Sequence, residues 1–196
     1  MKNIVLCGIG GQGTVLASKL IAAAAMQKGL PVRSAETIGM SQRGGSVFSH
    51  LRVGDPGEEV ASPMIANGEA DILIGFEPGE TVRMLPCLKE GGQVITASRA
   101  IMPVTATLSG GNYSGDEMVA YLKETVPNLS VVDTDAAIEE LGNPKVMNVL
   151  LLGYAANSGA LGLTTDELKE ALKARLPEKL WDLNFKAFDY SKNQEA

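Results

Sequence analysis

The chain is 196 residues long, 45% hydrophobic and 20% charged, a balance that supports a packed core of ordinary size and excludes wholesale disorder. Its net charge of -6 at pH 7 argues against nucleic acid or an anionic membrane surface as partner, because phosphate binding relies on clustered Lys and Arg. Two cysteines cannot supply the four thiolates of an iron–sulfur cluster, and a single His offers little for a metal site, so no metal ligands are assigned.

The start, "MKNIVLCG", runs straight into a strand-like segment without the cleavage site of a signal peptide, and no run reaches the ~18 apolar residues of a spanning helix. With Cys7 and Cys87 both in apolar segments, the expected setting is cytoplasmic, with free buried thiols. "NIVLCGI" suits a strand buried on both faces, and "TVLASKLIAAAAMQKG" a helix closed by Gly29 with Pro31 beyond. "PVRSAETIG" and "SVFSHLRVGD" read as strands, followed by turn residues Gly54 to Gly57. "ADILIGFE" is another buried strand, "PGETVRMLPCLKEGG" a helix interrupted at Pro86, and "QVITAS" a further strand. After the loop "SGGNYSGDE" come a helix from Asp116 to Thr125, the strand "LSVVDTD" and a helix from Ala136 to Leu141. The last third is helical: the apolar "KVMNVLLLGYAANSGAL", a helix opened by the capping box Thr164/Glu167, and the amphipathic "LWDLNFKAFDY". This alternation predicts a single-domain, three-layer α/β/α fold over residues 1–196, with a Rossmann-like, mostly parallel sheet.

Between the first strand and helix, Gly8, Gly10, Gly11 and Gly13 crowd into six positions. Gly8, Gly10 and Gly13 satisfy G-x-G-x-x-G, and Glu36 stands where a dinucleotide fold places an acid for a ribose hydroxyl. Glycines permit close approach, and a helix N-terminus offers free N–H groups to an anion. The plainer alternative is the tight first turn that any doubly wound fold needs. Gly11 makes the loop more open than the fingerprint requires, and Gln12 puts a neutral donor–acceptor at the helix start.

A second loop is more informative. In "ETIGMSQRGGSVFSHLRVG", Gly39, Gly44 and Gly45 bracket Ser41, Gln42 and Arg43 between two strands. An Arg held there suits a grip on an anionic group or a partner's carboxylate; the alternative is a solvated connection. Together "GIGGQGTVLASKLIAAAA" and "GMSQRGGSVFSHLR" resemble the gamma-type subunit of the 2-oxoacid:ferredoxin oxidoreductases, and within that family are most similar to the small beta subunit of the indolepyruvate type. Sharp motifs cover the first third; the remainder agrees in length and layout. Many gamma subunits carry Tyr-Gly-x-Glu-x-Arg-Gly-Gly here, whereas this chain has Ile38 for the Tyr and Gln42 between Ser41 and Arg43, which favours the aryl-pyruvate branch.

The resemblance implies a subunit of an enzyme that oxidatively decarboxylates a 2-oxoacid to an acyl-CoA and reduces ferredoxin. Thiamine diphosphate, Mg and [4Fe-4S] clusters would belong to a large partner, leaving this chain without a cofactor of its own and inactive alone. The expected state is a hetero-oligomer, or a homodimer when isolated. Gly8, Gly10, Gly11, Gln12, Gly13 and Thr14, with Met40, Ser41, Gln42, Arg43 and Gly44, would form one edge of the coenzyme A channel or of the mouth of the thiamine site. No catalytic residue is assigned. Two alternatives stay open: a free-standing NAD- or FAD-binding Rossmann oxidoreductase using Gly8, Gly10, Gly13 and Glu36, and a purely structural assembly subunit.

Other candidates read more plainly. His50 suits hydrogen bonding in a half-buried strand, and Cys7 a small buried position. Glu77, Glu80 and Arg83 read as a solvated helix head complementing the dipole. The small residues from Gly153 to Gly159 suit a core helix or a close subunit contact, and Trp181, Phe185 and Phe188 an interface.

Overall fold

In the computed structural model, residues 1–39, 44–102 and 113–193 are described. Met40, Ser41, Gln42 and Arg43 lie outside the described residues.

The first strand, β1 (Lys2–Ile9), is fully buried from Ile4 to Cys7, and its alternating side chains feed two cores. Ile4 and Leu6 point to one face, Val5 and Cys7 to the other. Helix α1 (Thr14–Gln27) is Ala- and Leu-rich and ends in a Schellman motif. There Gly29, at φ 75°, donates to Met26 and Leu30 donates to Ala25. β2 (Val32–Ile38) and β3 (Ser46–Val53) form an antiparallel pair, and β4 (Ala70–Gly75) returns to lie parallel beside β1.

Helix α2 (Pro78–Met84) stops at a 3₁₀ turn over Leu85–Cys87, where Pro86 removes a helical donor. "LKEGG", expected as the helix's tail, instead begins β5 (Leu88–Ala97). A register shift against β4 there absorbs the extra residues, and Gly91 takes φ 71°. The remaining elements are α3 (Gly115–Thr125), β6 (Leu129–Val132), α4 (Thr134–Leu141), α5 (Met147–Asn157), α6 (Thr165–Lys173) and α7 (Trp181–Asp189).

The six strands run in the order β2-β3-β1-β4-β5-β6, and only β3 opposes the common direction. The α/β expectation with a mostly parallel sheet holds, with β3 inserted between β2 and β1. One face, bearing Ile4, Leu6, Ile72, Ile74 and Ile95, packs on α1, α5, α6 and α7. The other, bearing Val5, Leu73 and Val94, packs on Met84 of α2 and Leu122 of α3. α5 is buried along nearly its whole length, and a methyl at Gly153 would overlap the Phe188 carbonyl oxygen. Its small residues therefore serve close packing of α5 on α7 within the chain.

Candidate functional site

The two glycine loops meet. Antiparallel pairing of β1 and β3 places Gly8 opposite Val47 and Ile9 opposite Ser46. Just beyond, the Gly10 N–H donates to the Gly45 carbonyl at 2.8 Å. The first turn and the exit of the second loop thus form one rim beyond the carboxyl end of β1, where the strand order reverses.

Two of the turn's four glycines answer to the chain's own packing. A methyl on Gly8 would lie 2.8 Å from both Gln12 Oε1 and Phe76 Cβ. One on Gly13, already at φ 86°, would lie 2.8 Å from Asn148 Nδ2. Gln12 fills the inside of the turn: its Oε1 accepts the Ile9 N–H at 2.7 Å, and its Nε2 donates to the Phe76 carbonyl at 2.7 Å. Thr14 turns its hydroxyl under the turn toward Gly8, where it is buried without a hydrogen-bond partner among the described residues. Gly11 alone of these has φ 102° with nothing within 4 Å of where a methyl would stand, so it opens outward.

A cleft of about 710 Å³ opens beside Gly11, Gln12 and Gly13. Leu16, Ile138 and Met147 supply apolar wall, and Arg99, Lys145 and Asn148 supply donors. The α1 N-terminus faces this space with no side-chain cap and no acid in its first turn, which leaves its first N–H groups and partial positive charge for an anion. Asn148 is 4% exposed; its Oδ1 accepts the Val149 N–H at 3.0 Å, which aligns its Nδ2 against Gly13. Arg99 lies 3.4 Å from Asp135, but both are exposed, so that pair is worth at most ~1 kcal/mol and leaves the guanidinium available. Gly8, Gly10, Thr14 and Gly44 do not line the cleft.

Behind the Arg99 wall the structure corrects an expectation. Glu77 and Glu80 are not a solvated face: they are 2% and 7% exposed. Glu77 caps α2, its Oε2 accepting the Glu80 N–H at 2.9 Å, and it also accepts the Tyr113 hydroxyl and the Ile101 N–H. Glu80 accepts the Ser46 hydroxyl and lies 3.5 Å from the exposed Arg83. Enough donors converge here to hold carboxylates out of water, which a sequence count of charges does not reveal. Burial, together with the bond to Glu77, pushes the Tyr113 phenol up, so it stays a neutral donor. Burial first, and the nearby Glu80 second, push the Cys7 thiol up, which makes it an inert core group. His50 is buried and accepts the Ile65 N–H at Nδ1, 3.1 Å; burial lowers its pKa and keeps the imidazole neutral.

Glu36 lies on β2, separated from β1 by β3, and is exposed. A dinucleotide fold sets β2 directly beside β1, so the intervening β3 moves Glu36 one strand spacing, roughly 5 Å, beyond the ribose position, and Gln12 takes up a turn donor that such a fold offers to a diphosphate. Phe188, expected at an interface, is fully buried in the core, because Gly153 lets α7 approach. Trp181 and Phe185 stay half-buried and stacked, with Lys173 over both rings. Sequence reasoning missed Arg99, Lys145, Asn148 and Tyr113. Asn148 carried a signal, an amide at the head of the apolar run from Val149 to Leu152; the others sit in connections that only the fold brings together.

Comparisons with known proteins agree with this architecture. The family described as pyruvate ferredoxin/flavodoxin oxidoreductase matches residues 3–193. Indolepyruvate oxidoreductase subunit IorB of Archaeoglobus fulgidus is 37% identical over 98% of this chain and 94% of its own. The pyruvate/ketoisovalerate oxidoreductases common subunit gamma of Thermococcus kodakarensis is 29% identical over 99% and 97%. A keto/oxoacid ferredoxin oxidoreductase gamma subunit from Geobacter sulfurreducens has the same fold, with TM-score 0.68 at 23% identity over all of both chains. A 2-oxoglutarate:ferredoxin oxidoreductase from Magnetococcus marinus, solved with 2-oxoglutarate, coenzyme A and succinyl-CoA, matches at TM-score 0.71 and 20% identity, over 98% of this chain and 30% of that one.

Proposed function

The chain belongs to the pyruvate ferredoxin/flavodoxin oxidoreductase family, and from that premise we propose that its glycine rim and the adjoining cleft complete the coenzyme A or 2-oxoacid region of a larger partner. It is a small, gamma-type subunit of a 2-oxoacid ferredoxin oxidoreductase. The partner is a thiamine diphosphate- and iron–sulfur-bearing subunit, the assembly a hetero-oligomer that delivers electrons to ferredoxin, and the setting the cytoplasm. Higher identity to indolepyruvate than to pyruvate/ketoisovalerate subunits supports an aryl pyruvate such as indolepyruvate as substrate.

Thiamine diphosphate with Mg supplies the decarboxylation, and the clusters carry the electrons; the two buried cysteines here fit no cluster. This chain's residues bind and orient. The uncapped α1 start, Arg99 and Lys145 hold an anionic group such as a coenzyme A phosphate or a substrate carboxylate, while Leu16, Ile138 and Met147 exclude water around it. Arg43, which the sequence sets between Gly39 and Gly44, is proposed as a further cation for the same ligand. The observation that carries this reading is the Gly10–Gly45 hydrogen bond, which joins both loops beside an open, electropositive helix end.

The test is ferredoxin reduction by the reconstituted complex with Arg99→Ala, Lys145→Ala and Arg43→Ala subunits. Arg99→Ala and Lys145→Ala should each raise the KM for coenzyme A or 2-oxoacid about tenfold, as expected for one charge-assisted hydrogen bond. Unchanged dependences in all three, with assembly intact, would leave only a structural assembly role.

A further inference from the structure

One carboxylate joins two distant points of the chain. Glu77 Oε1 accepts both the Tyr113 hydroxyl and the Ile101 N–H, the latter at 3.4 Å. Ile101 belongs to the cleft wall, with Arg99 and Ala100; Tyr113 stands just before α3. The Tyr113 oxygen in turn accepts the Gly79 N–H at 3.1 Å, so the phenol sits inside the first turn of α2. Two glycines make room for this arrangement. A methyl on Gly79 would lie 2.5 Å from the Tyr113 oxygen, and one on Gly115 would overlap the Ala100 Cβ.

Such a device does more than cap a helix. A Ser would serve as N-cap equally well, without a buried charge. Glu77 is 2% exposed, and a carboxylate in that setting needs several donors; it draws them from α2, from the cleft wall and from Tyr113. Glu77 does not line the cleft.

We infer that Glu77, through Tyr113 and the Ile101 N–H, is a positioning residue that fixes the Arg99–Ile101 wall at the distance from the α1 N-terminus at which the cleft holds its anionic ligand. This rests on the reading that the cleft is used. Glu77 thereby sets affinity for the ligand and takes no part in bond making.

Glu77→Asp separates the two roles, since Asp is a preferred cap but one methylene too short to reach Tyr113 and Ile101. Tyr113→Phe removes the hydroxyl from the other side. In the reconstituted complex each should raise the KM for coenzyme A or 2-oxoacid about five- to tenfold with kcat within about twofold, and the double variant should be no worse than the stronger single one, because both break the same link. Thermal unfolding of the isolated subunit checks that both variants keep their fold; Tyr113→Phe leaves the Glu77–Glu80 cap bond in place but removes the acceptor of the Gly79 N–H. If Arg99→Ala raises KM but Glu77→Asp and Tyr113→Phe do not, or if their effects multiply, the positioning role is wrong while the cleft reading stands. If Arg99→Ala, Lys145→Ala and both positioning variants leave KM unmoved, the cleft reading fails and this inference falls with it.

Discussion

Helices α1 and α2 follow parallel neighbouring strands at the same edge of the sheet, yet their first turns are finished in opposite ways. α2 opens with Pro78 at its first position, Glu77 capping and Glu80 in its first turn, and Tyr113 lodged against Gly79. Its donors are consumed by the chain's own oxygens. α1 opens on a left-handed glycine with no cap and no acid in its first turn, beside Arg99 and Lys145. The same strand-to-helix connection thus yields one sealed end and one left for an outside anion, and the difference lies in which side chains reach the first turn.

The largest expected effect is at the sealed end. A methyl on Gly75 would overlap Thr81 Oγ1, and that hydroxyl is held by the Glu77 carbonyl and by Thr96. Gly75→Ala should destabilise by about 3 kcal/mol or more, lowering Tm by roughly 6–12 °C in a chain this long. A loss under ~1 kcal/mol in thermal unfolding would mean that the α2 start is looser than its hydrogen bonds indicate.

At the open end the two positive-φ glycines should part company. Gly13→Ala meets Asn148 as well as backbone strain and should cost about 2–3 kcal/mol, whereas Gly11→Ala, with empty space around it, should cost only the strain, about 1 kcal/mol. Gly11→Ala should nevertheless raise the KM for coenzyme A or 2-oxoacid in the complex, because its methyl stands at the mouth of the cleft. Equal stability losses would show that the space beside Gly11 is filled in solution.

The framework was legible because it is local. Gly29 and Pro31 end α1, Thr164 and Glu167 open α6, and continuous apolar runs mark the buried strands. That the two loops share one edge was implied by the family resemblance, but the reason for the glycines was not. Spacing suggested a phosphate cradle, whereas Gly8 and Gly13 are required by Phe76 and Asn148, residues 68 and 135 positions further along. Glu77 was misread for a related reason: a carboxylate at a helix head is ordinarily solvated, and only the fold brings Tyr113 and Ile101 to it. Arg99 and Lys145 sit in unremarkable connections, and their convergence is a property of strand order rather than of any motif.

The smallest effect concerns a third helix start, which sharpens the contrast through pH. α6 is closed by a full capping box: Glu167 accepts the Thr164 N–H at 2.8 Å, and Thr164 Oγ1 accepts the Glu167 N–H at 3.2 Å. The Thr164 N–H, then Lys28 at 2.9 Å, hold the Glu167 carboxyl below the usual glutamate range. A carboxylate whose folded pKa is depressed stabilises fully above its unfolded pKa, about 4.3, and loses that contribution as pH falls through the folded value. Glu167→Gln should therefore cost at most ~1 kcal/mol at pH 7, given the half-exposed side chain, and the gap to the parent chain should close in acid. Urea unfolding of both proteins at pH 7 and near pH 3 measures it, and a gap that persists at pH 3 would show that shape rather than charge closes this end. The start of α1 has no such carboxylate, so its own contribution to stability should not change through the same range unless an anion is bound there.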